Sequence, residues 1–314
     1  MKIAAYCQDF EDQVVTLWNR VLAADVLTVQ KFRKQALFDD NFDSGLCDVA
    51  LENGTVAGFV LATKRKFPYL ERGLEPRRGW INVIFVDPAY QRQGAGTLLL
   101  ETAEKKLARL GAAEITLGAY SPNYFFPGVD CANYAEAKAF FEKHGYIAGE
   151  EAFSMRRDLH GYRIPKSTLA KKQEAEKQGY RFINFEYRYA LELLEFAKTE
   201  FGGGWKRNVL VSMQNGLAED CILLALNNGI AGFCMRMIDG NPMRFGPIGI
   251  AEAKRNDGLG GILLDMQMFE MSRRGIYQMY FISTDVPGRR FYERHGASVF
   301  RSFFDYRKEL PGER

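Results

Sequence analysis

Two short segments of the sequence place glycines two residues apart, between an apolar stretch and an amphipathic one. The first runs Val86-Asp-Pro-Ala-Tyr-Gln-Arg-Gln-Gly-Ala-Gly96, and the second runs Ile250-Ala-Glu-Ala-Lys-Arg-Asn-Asp-Gly-Leu-Gly260. Because glycine lacks a Cβ, backbone N–H groups at such a turn can converge on one point. A helix that follows adds its unpaired first-turn N–H groups and the positive end of its dipole. Each segment is therefore predicted to bind phosphate through main-chain atoms.

Neither segment matches the common loops that bind nucleotides. No Gly-Lys-Ser or Gly-Lys-Thr follows the glycines, which argues against nucleotide hydrolysis. The third glycine of the dinucleotide-binding fingerprint is also missing from both segments. The phosphate is therefore expected to belong to a ligand of another class.

The two glycine turns belong to a longer internal repeat. Four residues of the first recur in the second at a constant offset of 164, namely Val86, Gln91, Gly94 and Gly96 against Ile250, Arg255, Gly258 and Gly260. Three further blocks recur in the same order: 52–59 with 227–233, 140–145 with 291–296, and 153–159 with 304–310. Such an order indicates a duplicated domain. The predicted domains are residues 1–159 and 180–314, and a connecting segment with a charged helix covers residues 160–179.

The composition limits the partners and the compartment of the protein. A chain of 314 residues that is 47% apolar can fill two ordinary cores, and its net charge of +3 gives no strong field for nucleic acid or a membrane. No apolar stretch reaches transmembrane length, and the N-terminus lacks a signal-peptide profile. The five cysteines form no close-spaced motif and the three histidines no cluster. We therefore expect reduced thiols, no metal, a cytoplasmic location, and a monomer or homodimer.

Strands and helices are predicted around each turn. In the first copy an apolar strand at 80–86 precedes the turn and a helix at 97–110 follows it. An Asn-Gly pair between strands at 46–51 and 55–65 predicts a hairpin. In the second copy, the sequence Phe-Gly-Gly-Gly-Trp at 201–205 is predicted to form a turn.

The turn, its preceding strand and the later Phe-Phe-Glu-Lys-His-Gly or Phe-Tyr-Glu-Arg-His-Gly block together resemble the GNAT acetyltransferase superfamily. In that family, a Gln/Arg-x-x-Gly-x-Gly/Ala loop binds the pyrophosphate of acetyl-CoA. The resemblance covers both halves of the chain outside the connecting segment. It implies an α/β (α+β) fold of two tandem GNAT-like domains. Each domain would be a mixed, mostly antiparallel sheet with splayed central strands and flanking helices.

The resemblance also implies acetyl-CoA as the acetyl donor and names the residues that would bind it. Backbone groups of Ile84, Phe85 and Val86 in the first copy, or of Ile248, Gly249 and Ile250 in the second, would pair with the pantetheine amides. The pyrophosphate would be bound by Gln91, Arg92, Gln93, Gly94, Ala95, Gly96 and Thr97, or by Arg255, Asn256, Asp257, Gly258, Leu259, Gly260 and Gly261.

The two copies differ at the position where many family members carry a tyrosine that protonates the sulfur of coenzyme A. The first copy has Phe141 there, which has no proton to donate, and the second has Tyr292. Tyr292 therefore favours the interpretation that the second copy is catalytic, with Glu252 or Asp285 as base or water relay. The alternative for Tyr292 is a core aromatic with a hydrogen-bonded hydroxyl.

In the other interpretation the first copy is catalytic, because its turn is closer to the family consensus. Its aromatic segment at 120–130 would then shape an acceptor pocket. Tyr120, Tyr124 or Asp130 would supply polar groups there, or thiolate release would go through water. The alternative role for Asp130 is to cap a turn.

The resemblance implies an acetyl-CoA-dependent N-acetyltransferase that moves an acetyl group to a primary amine of a small molecule by direct attack. One domain would be catalytic and the other degenerate or supporting. Two alternatives stay open: a non-catalytic sensor that binds acetyl-CoA or acyl-CoA, and a protein amine acetyltransferase.

Overall fold

The computed structural model describes residues 1–123 and 125–311, and the chain divides into two compact units. Unit 1 comprises Met1–Ala152 and Arg301–Arg314, and unit 2 comprises Phe153–Phe300. Each unit combines β-strands with helices, which confirms the predicted α/β architecture of two tandem domains. Tyr124, one of the candidate polar groups, lies outside the described residues. No described helix is both long and apolar enough to cross a membrane.

The sheet of unit 1 is mixed and mostly antiparallel, as predicted. Its strands, in their order across the sheet, are β1 (Lys2–Ala5), β2 (Cys47–Glu52), β3 (Thr55–Thr63), β4 (Arg78–Val86), β5 (Glu114–Leu117) and β12 (Ser298–Glu309). Among the described strand pairs of this sheet, only β4 and β5 run parallel to each other. The predicted Asn-Gly hairpin joins β2 and β3, where Asn53 and Gly54 both have positive φ.

Two apolar cores cover the two faces of this sheet. The helices of unit 1 are α1 (Glu11–Val21), α2 (Val29–Phe32, continued by a π-helical turn over Arg33–Leu37), α3 (Ala95–Arg109) and α4 (Ala135–Lys143). The α3-side core joins the sheet to α3 and α4, and the α1-side core joins it to α1 and α2. Because both faces of β4 are covered, its sequence is apolar from Trp80 to Val86 apart from Asn82.

Unit 2 repeats these elements with additions. Its antiparallel sheet has the order β10 (Phe245–Ile250), β9 (Ile230–Arg236), β8 (Ile222–Leu226), β7 (Arg181–Asn184). Strand β11 (Gln278–Phe281) pairs with residues 155–158 of β6 (Ile147–Asp158), and one parallel bridge joins Arg244 to Tyr280. The helices are α5 (Lys166–Lys177), α6 (Ala190–Phe201), α7 (Gly203–Gln214), α8 (Ala218–Cys221), α9 (Leu259–Arg273) and α10 (Val286–Arg294).

The last strand of each sequence copy contributes to the other unit. Strand β12, at the end of the second copy, pairs with β5 of unit 1 in a register that places Tyr306 opposite Leu117. The end of β6, from the first copy, pairs with β11 of unit 2. The domain limits predicted at 159 and 180 follow the sequence repeat, whereas the compact units divide at 152/153 and 300/301. The charged helix of the predicted connecting segment, α5, is part of unit 2 and packs on α9.

The glycines at 201–205 form a shorter break than a five-residue turn. Helix α6 ends at Phe201 and α7 begins at Gly203, so Gly202 alone separates them. Gly202 has a φ of 89°, which ends α6, and the following glycines continue as helix. The rings of Phe201 and Trp205 stack at 4.4 Å, and tertiary packing of this kind can override the low helix propensity of glycine.

Candidate functional site

Strands β4 and β5 separate in the middle of unit 1. They pair from Arg78 and Glu114 to Ile81 and Leu117, where β5 ends while β4 continues to Val86. The register between β3 and β4 shifts at this point, because Ala62 faces Ile81 while Leu61 faces Val83. Residue 82 is therefore a bulge. Its effect is visible in the packing, since Ile81 lies in the α3-side core and Val83 in the α1-side core.

The first glycine turn follows directly from this strand. Asp87 caps a single 3₁₀ turn over Pro88–Tyr90, and the Gln91 side chain donates to the carbonyl of Val86 at 3.1 Å. Arg92 and Gly94 have φ angles of 60° and 88°, and α3 begins at the next residue. The chain thus turns sharply, so that the free N–H groups at the start of α3 face the end of β4.

The second glycine turn has the same backbone geometry. A 3₁₀ turn covers Glu252–Lys254, and the Arg255 side chain donates to the carbonyl of Ile250 at 3.4 Å. Asn256 and Gly258 have φ angles of 76° and 78°, and α9 begins at Leu259. The sequence repeat is therefore also a repeat of main-chain conformation, down to the side chain that closes each turn.

A cavity of about 750 Å³ lies in unit 1 between the separated strands. Most of the predicted donor-binding residues of the first copy line it, namely Ile84, Phe85, Val86, Gln91, Arg92, Gly94, Gly96 and Thr97. Gln93 and Ala95 do not: Gln93 is exposed and donates to the Ala89 carbonyl, and Ala95 is buried in the α3-side core. Helix α4 forms another wall, with Phe140, Phe141 and His144.

The cavity reaches both faces of the sheet. At the α3 side, Thr97 Oγ1 lies 3.2 Å from His144 Nε2, and His144 Nδ1 lies 2.7 Å from the carbonyl of Phe140. This second contact places the proton of a neutral imidazole on Nδ1, so that Nε2 accepts from the threonine. At the α1 side the lining residues are Val21, Leu22, Phe126 and Tyr134. One cavity therefore connects the glycine turn with the opposite face through the gap between the strands.

The structure separates the candidate polar groups of the first copy. Asp130 lines the cavity, whereas Tyr120 is buried elsewhere in unit 1 and donates from its hydroxyl to Asp39 at 2.8 Å. Burial, followed by the Asp39 carboxylate, raises the pKa of Tyr120 above its usual value. A hydroxyl held in this way stays protonated. Its role is structural, because it ties the segment after β5 to Asp39.

Asp130 is held by several donors in a polar cluster beside the cavity. Its Oδ1 accepts from the backbone N–H groups of Ala132 and Asn133, and its Oδ2 accepts from the Asn133 amide and from Arg301 Nε. Burial alone would raise the pKa of Asp130, but the hydrogen bonds from Asn133 and Arg301 outweigh it and lower the pKa. Asp130 is therefore ionised, caps a turn as the alternative role predicted, and lines the cavity.

The candidate residues of the second copy lie in different environments. Tyr292 is 9% exposed, and its ring contacts Phe281 at 4.2 Å as well as Phe245 and Phe291. Burial is the main cause that raises its pKa. Asp285 is exposed and caps α10 by accepting from the Gly288 N–H at 2.8 Å. Glu252 is exposed at the start of its 3₁₀ turn, and its N–H donates to Glu200.

The surroundings of the second turn differ from those of the first. Gly261 stands where the first copy has Thr97, so the hydroxyl is missing, and a Cβ there would lie 2.8 Å from the His295 ring. His295 Nδ1 is 2.9 Å from Asp265, which also accepts from Tyr162 and Thr168. On β10, Pro247 between Gly246 and Ile248 has no N–H to offer a ligand.

The sequence pattern did not predict three residues that line the cavity and one that lies behind it. Asn82 lies at the bulge of β4, Asn133 and Tyr134 precede α4, and Arg301 comes from the start of the C-terminal strand of unit 1. A lone asparagine in an apolar strand marks Asn82 in retrospect. Nothing local marks Arg301, because it lies 171 residues from Asp130 in sequence.

Comparison with known proteins agrees with this geometry. Residues 12–146 match the acetyltransferase (GNAT) family. No curated protein sequence gives a significant match. Several solved structures match nearly the whole chain at low identity, which is evidence for the fold only.

One such structure is a fungal GCN5-related glucosamine N-acetyltransferase region of a multi-domain GH3 β-N-acetylglucosaminidase, with 22% identity and a TM-score of 0.78. It matches 98% of this chain, which spans 38% of that protein's length. A GCN5-related N-acetyltransferase from Sphaerobacter thermophilus has 17% identity and a TM-score of 0.71, with 99% and 96% of the two chains covered.

A tandem GNAT protein from the clavulanic acid biosynthesis pathway has 14% identity and a TM-score of 0.63, with 99% of each chain covered. The family match lies within unit 1 and includes the first glycine turn, the separated strands and α4. Residues 12–146 therefore match the GNAT acetyltransferase family, and the chain as a whole has the fold of the tandem GNAT proteins.

Proposed function

We propose that unit 1 transfers an acetyl group from acetyl-CoA to the primary amine of a small molecule, and that unit 2 is a supporting copy. The observation that carries this proposal is the cavity of unit 1, which connects the first glycine turn with the α1 face of the sheet. A donor bound at the turn and an acceptor that enters from the α1 face would meet between β4 and β5.

The donor fits the turn side of the cavity. Its phosphates can accept hydrogen bonds from the N–H groups at the start of α3, beside the cation of Arg92. The separated end of β4 can pair with the pantetheine amides as with an added half-strand. The cavity volume lies within the range of roughly 300–1,000 Å³ that is usual for small-molecule sites.

The reaction balances without a side-chain acid. Acetyl-CoA supplies an activated thioester, and the neutral amine nitrogen attacks its carbonyl carbon as the carbon–sulfur bond breaks. The proton that the nitrogen loses can pass through water to the thiolate, so the Phe141 ring in the cavity wall is compatible with turnover. Holding the two reactants together would then supply most of the rate acceleration.

Three features of unit 2 support its assignment as the supporting copy. Gly261 removes the hydroxyl beside the turn, His295 is bound to the buried Asp265, and Pro247 removes an N–H from β10. The second candidate is catalysis in unit 2, which the phenolic hydroxyl of Tyr292 at the family's proton-donor position favours.

The test is thiol release from acetyl-CoA with a panel of primary amines. Glucosamine is the first acceptor to try, because the fungal structural neighbour is described as a glucosamine N-acetyltransferase region. We expect turnover that Tyr292→Phe changes by less than about twofold, since a mutation outside the reacting site leaves kcat/KM nearly intact. Loss of turnover in Tyr292→Phe would move the chemistry to unit 2.

Two further outcomes separate the alternative functions. Calorimetric binding of acetyl-CoA without turnover of any amine would favour the sensor. Acetylation of peptides but not of small amines would favour a protein acetyltransferase. Cys7 is an exposed free thiol, so the assay with a thiol reagent needs a blank without acetyl-CoA.

A further inference from the structure

We propose that Asp25, Asp130, Tyr134 and Arg301 form an acceptor subsite that binds the amine as its ammonium ion, and that Arg301 is its positioning residue. The bound ammonium then releases one proton to water, and the neutral nitrogen attacks the thioester. This inference rests on the proposed function of unit 1 and concerns the α1 side of the same cavity. The four residues are called the acceptor cluster below.

Arg301 holds both carboxylates of the acceptor cluster. Its Nε donates to Asp130 Oδ2 at 2.7 Å, and its Nη1 and Nη2 donate to the two oxygens of Asp25 at 2.5 and 2.8 Å. The side chain is 15% exposed, and its guanidinium also lies 4.7 Å from the Phe303 ring. Three nitrogens in one rigid plane thus fix two acidic groups relative to each other.

Asp25, held by Arg301, in turn fixes the position of the Tyr134 side chain. The Tyr134 hydroxyl donates to Asp25 Oδ2 at 2.6 Å, and the tyrosine backbone N–H donates to the Asp130 carbonyl. Tyr134 and Asp130 both line the cavity, whereas Arg301 and Asp25 stand behind them. Arg301 therefore acts on the cavity through other residues.

The acceptor cluster lies on the side of the cavity where an acceptor would enter. Tyr134 packs against the α1-side core, and Asp25 follows the end of α1. The glycine turn, with Thr97 and His144, lines the same cavity from the α3 side. Donor and acceptor cluster thus face each other across the gap between β4 and β5.

The charge of the acceptor cluster indicates which acceptor it takes. Two carboxylates, one guanidinium and a neutral phenol sum to a charge of −1. On the turn side, Arg92 pairs with Glu136 at 3.4 Å, and Lys143 leaves that side with a charge of +1. Hydrogen bonds from Asn133 and Arg301 keep Asp130 ionised, as its lowered pKa indicates. A site of this polarity attracts an ammonium group at one side and phosphates at the other.

The test measures steady-state kinetics for the amine and for acetyl-CoA separately. The probe amine is glucosamine, or the best acceptor of the panel. Arg301→Lys keeps the charge but loses the fixed three-nitrogen geometry, so we expect KM for the amine to rise by about tenfold or more. KM and calorimetric Kd for acetyl-CoA should stay within about twofold of wild type. The matched control is Arg307→Lys, an exposed arginine on the same strand, which should change neither.

A second variant tests the charge without removing the arginine. Asp25→Asn brings the acceptor cluster to zero net charge with nearly the same shape, so the amine KM should again rise while acetyl-CoA binding persists. The 2-hydroxy analogue of the amine (glucose, when glucosamine is the probe) should not inhibit the wild type. If Arg301→Lys fails to fold, KM for the amine and KM for acetyl-CoA are compared in Asp25→Asn and Tyr134→Phe instead.

The inference is overturned if Arg301→Lys and Asp25→Asn leave the amine KM unchanged, or raise both KM values equally. The same holds if the uncharged analogue binds as well as the amine. These results differ from failure of the proposed function, in which the wild type itself shows no acetyl-CoA binding or no turnover.

Discussion

Asn82 lies at the apex where β4 and β5 separate. Its Nδ2 donates to Thr63 Oγ1 at 2.9 Å, while its Oδ1 is buried and has no partner among the described residues. A buried unsatisfied acceptor costs about 1–3 kcal/mol, so its retention beside the cavity suggests a ligand donor, such as the N–H of the acceptor amine. The sequence did not single out this residue, because one asparagine in an apolar strand has many explanations.

The first prediction concerns this amide. Asn82→Leu should lower kcat/KM for the amine by about tenfold or more, because the acceptor oxygen is lost. The free energy of unfolding should change little, because removal of the unsatisfied Oδ1 offsets the loss of the hydrogen bond to Thr63. Asn82→Asp keeps an acceptor oxygen and serves as the control with retained amine binding. Unchanged kinetics in Asn82→Leu would exclude a role for Asn82 in acceptor binding.

The second prediction concerns pH and Asp130. The folded-state pKa of Asp130 is lowered, so its ionisation stabilises the fold above the unfolded-state pKa of about 3.9 and this contribution is lost as pH falls further. Asp130→Asn should therefore destabilise the protein at pH 7, and the difference from wild type should shrink below about pH 4. Urea unfolding of both proteins at pH 7, 5 and 3.5 checks this. A constant difference would contradict it.

At the scale of elements, the glycine turns were predictable and the loops were not. The Gly-x-Gly spacing within each turn determines a local conformation. The first glycine of each pair, Gly94 or Gly258, has the positive φ that such a turn requires. Helix α7 begins inside the predicted turn because packing of Phe201 and Trp205 outweighs local propensity. The acceptor cluster needs Arg301, whose position depends on strand pairing far along the chain.

The third prediction tests strand β12 as an integral part of unit 1. Tyr306 is 1% exposed, lies opposite Leu117 of β5, and donates its hydroxyl to Glu142. Tyr306→Ala should lower the free energy of unfolding by roughly 3–5 kcal/mol, the usual cost of removing a buried aromatic ring. Phe300→Ala on the same strand is the control, because Phe300 is 38% exposed. Equal effects of both variants in chemical denaturation would contradict the assignment.

At the scale of the whole molecule, duplication preserved the backbone of the turn and changed its surroundings. The repeat blocks in the sequence predicted two domains of one fold, and the structure has them. The sequence could not reveal that each copy's last strand contributes to the other unit, because the repeat marks similarity and not pairing. Nor could it decide between Phe141 and Tyr292, whose surroundings depend on tertiary packing.

The central claim is that donor binding belongs to the first glycine turn. Gly94 and Gly258 form a matched pair, since both have positive φ and a Cβ at either would meet no atom closer than 3.7 Å. Glutamate at either position adds the same strain and a negative charge beside the phosphates, and glutamine adds the strain alone.

The most direct measurement is calorimetric titration of acetyl-CoA into Gly94→Glu and Gly258→Glu, each compared with its glutamine counterpart. We predict one site per chain, weakened by about tenfold or more in Gly94→Glu relative to Gly94→Gln. Gly258→Glu should match Gly258→Gln. Binding that is weakened only by Gly258→Glu would contradict the claim and assign the donor to unit 2.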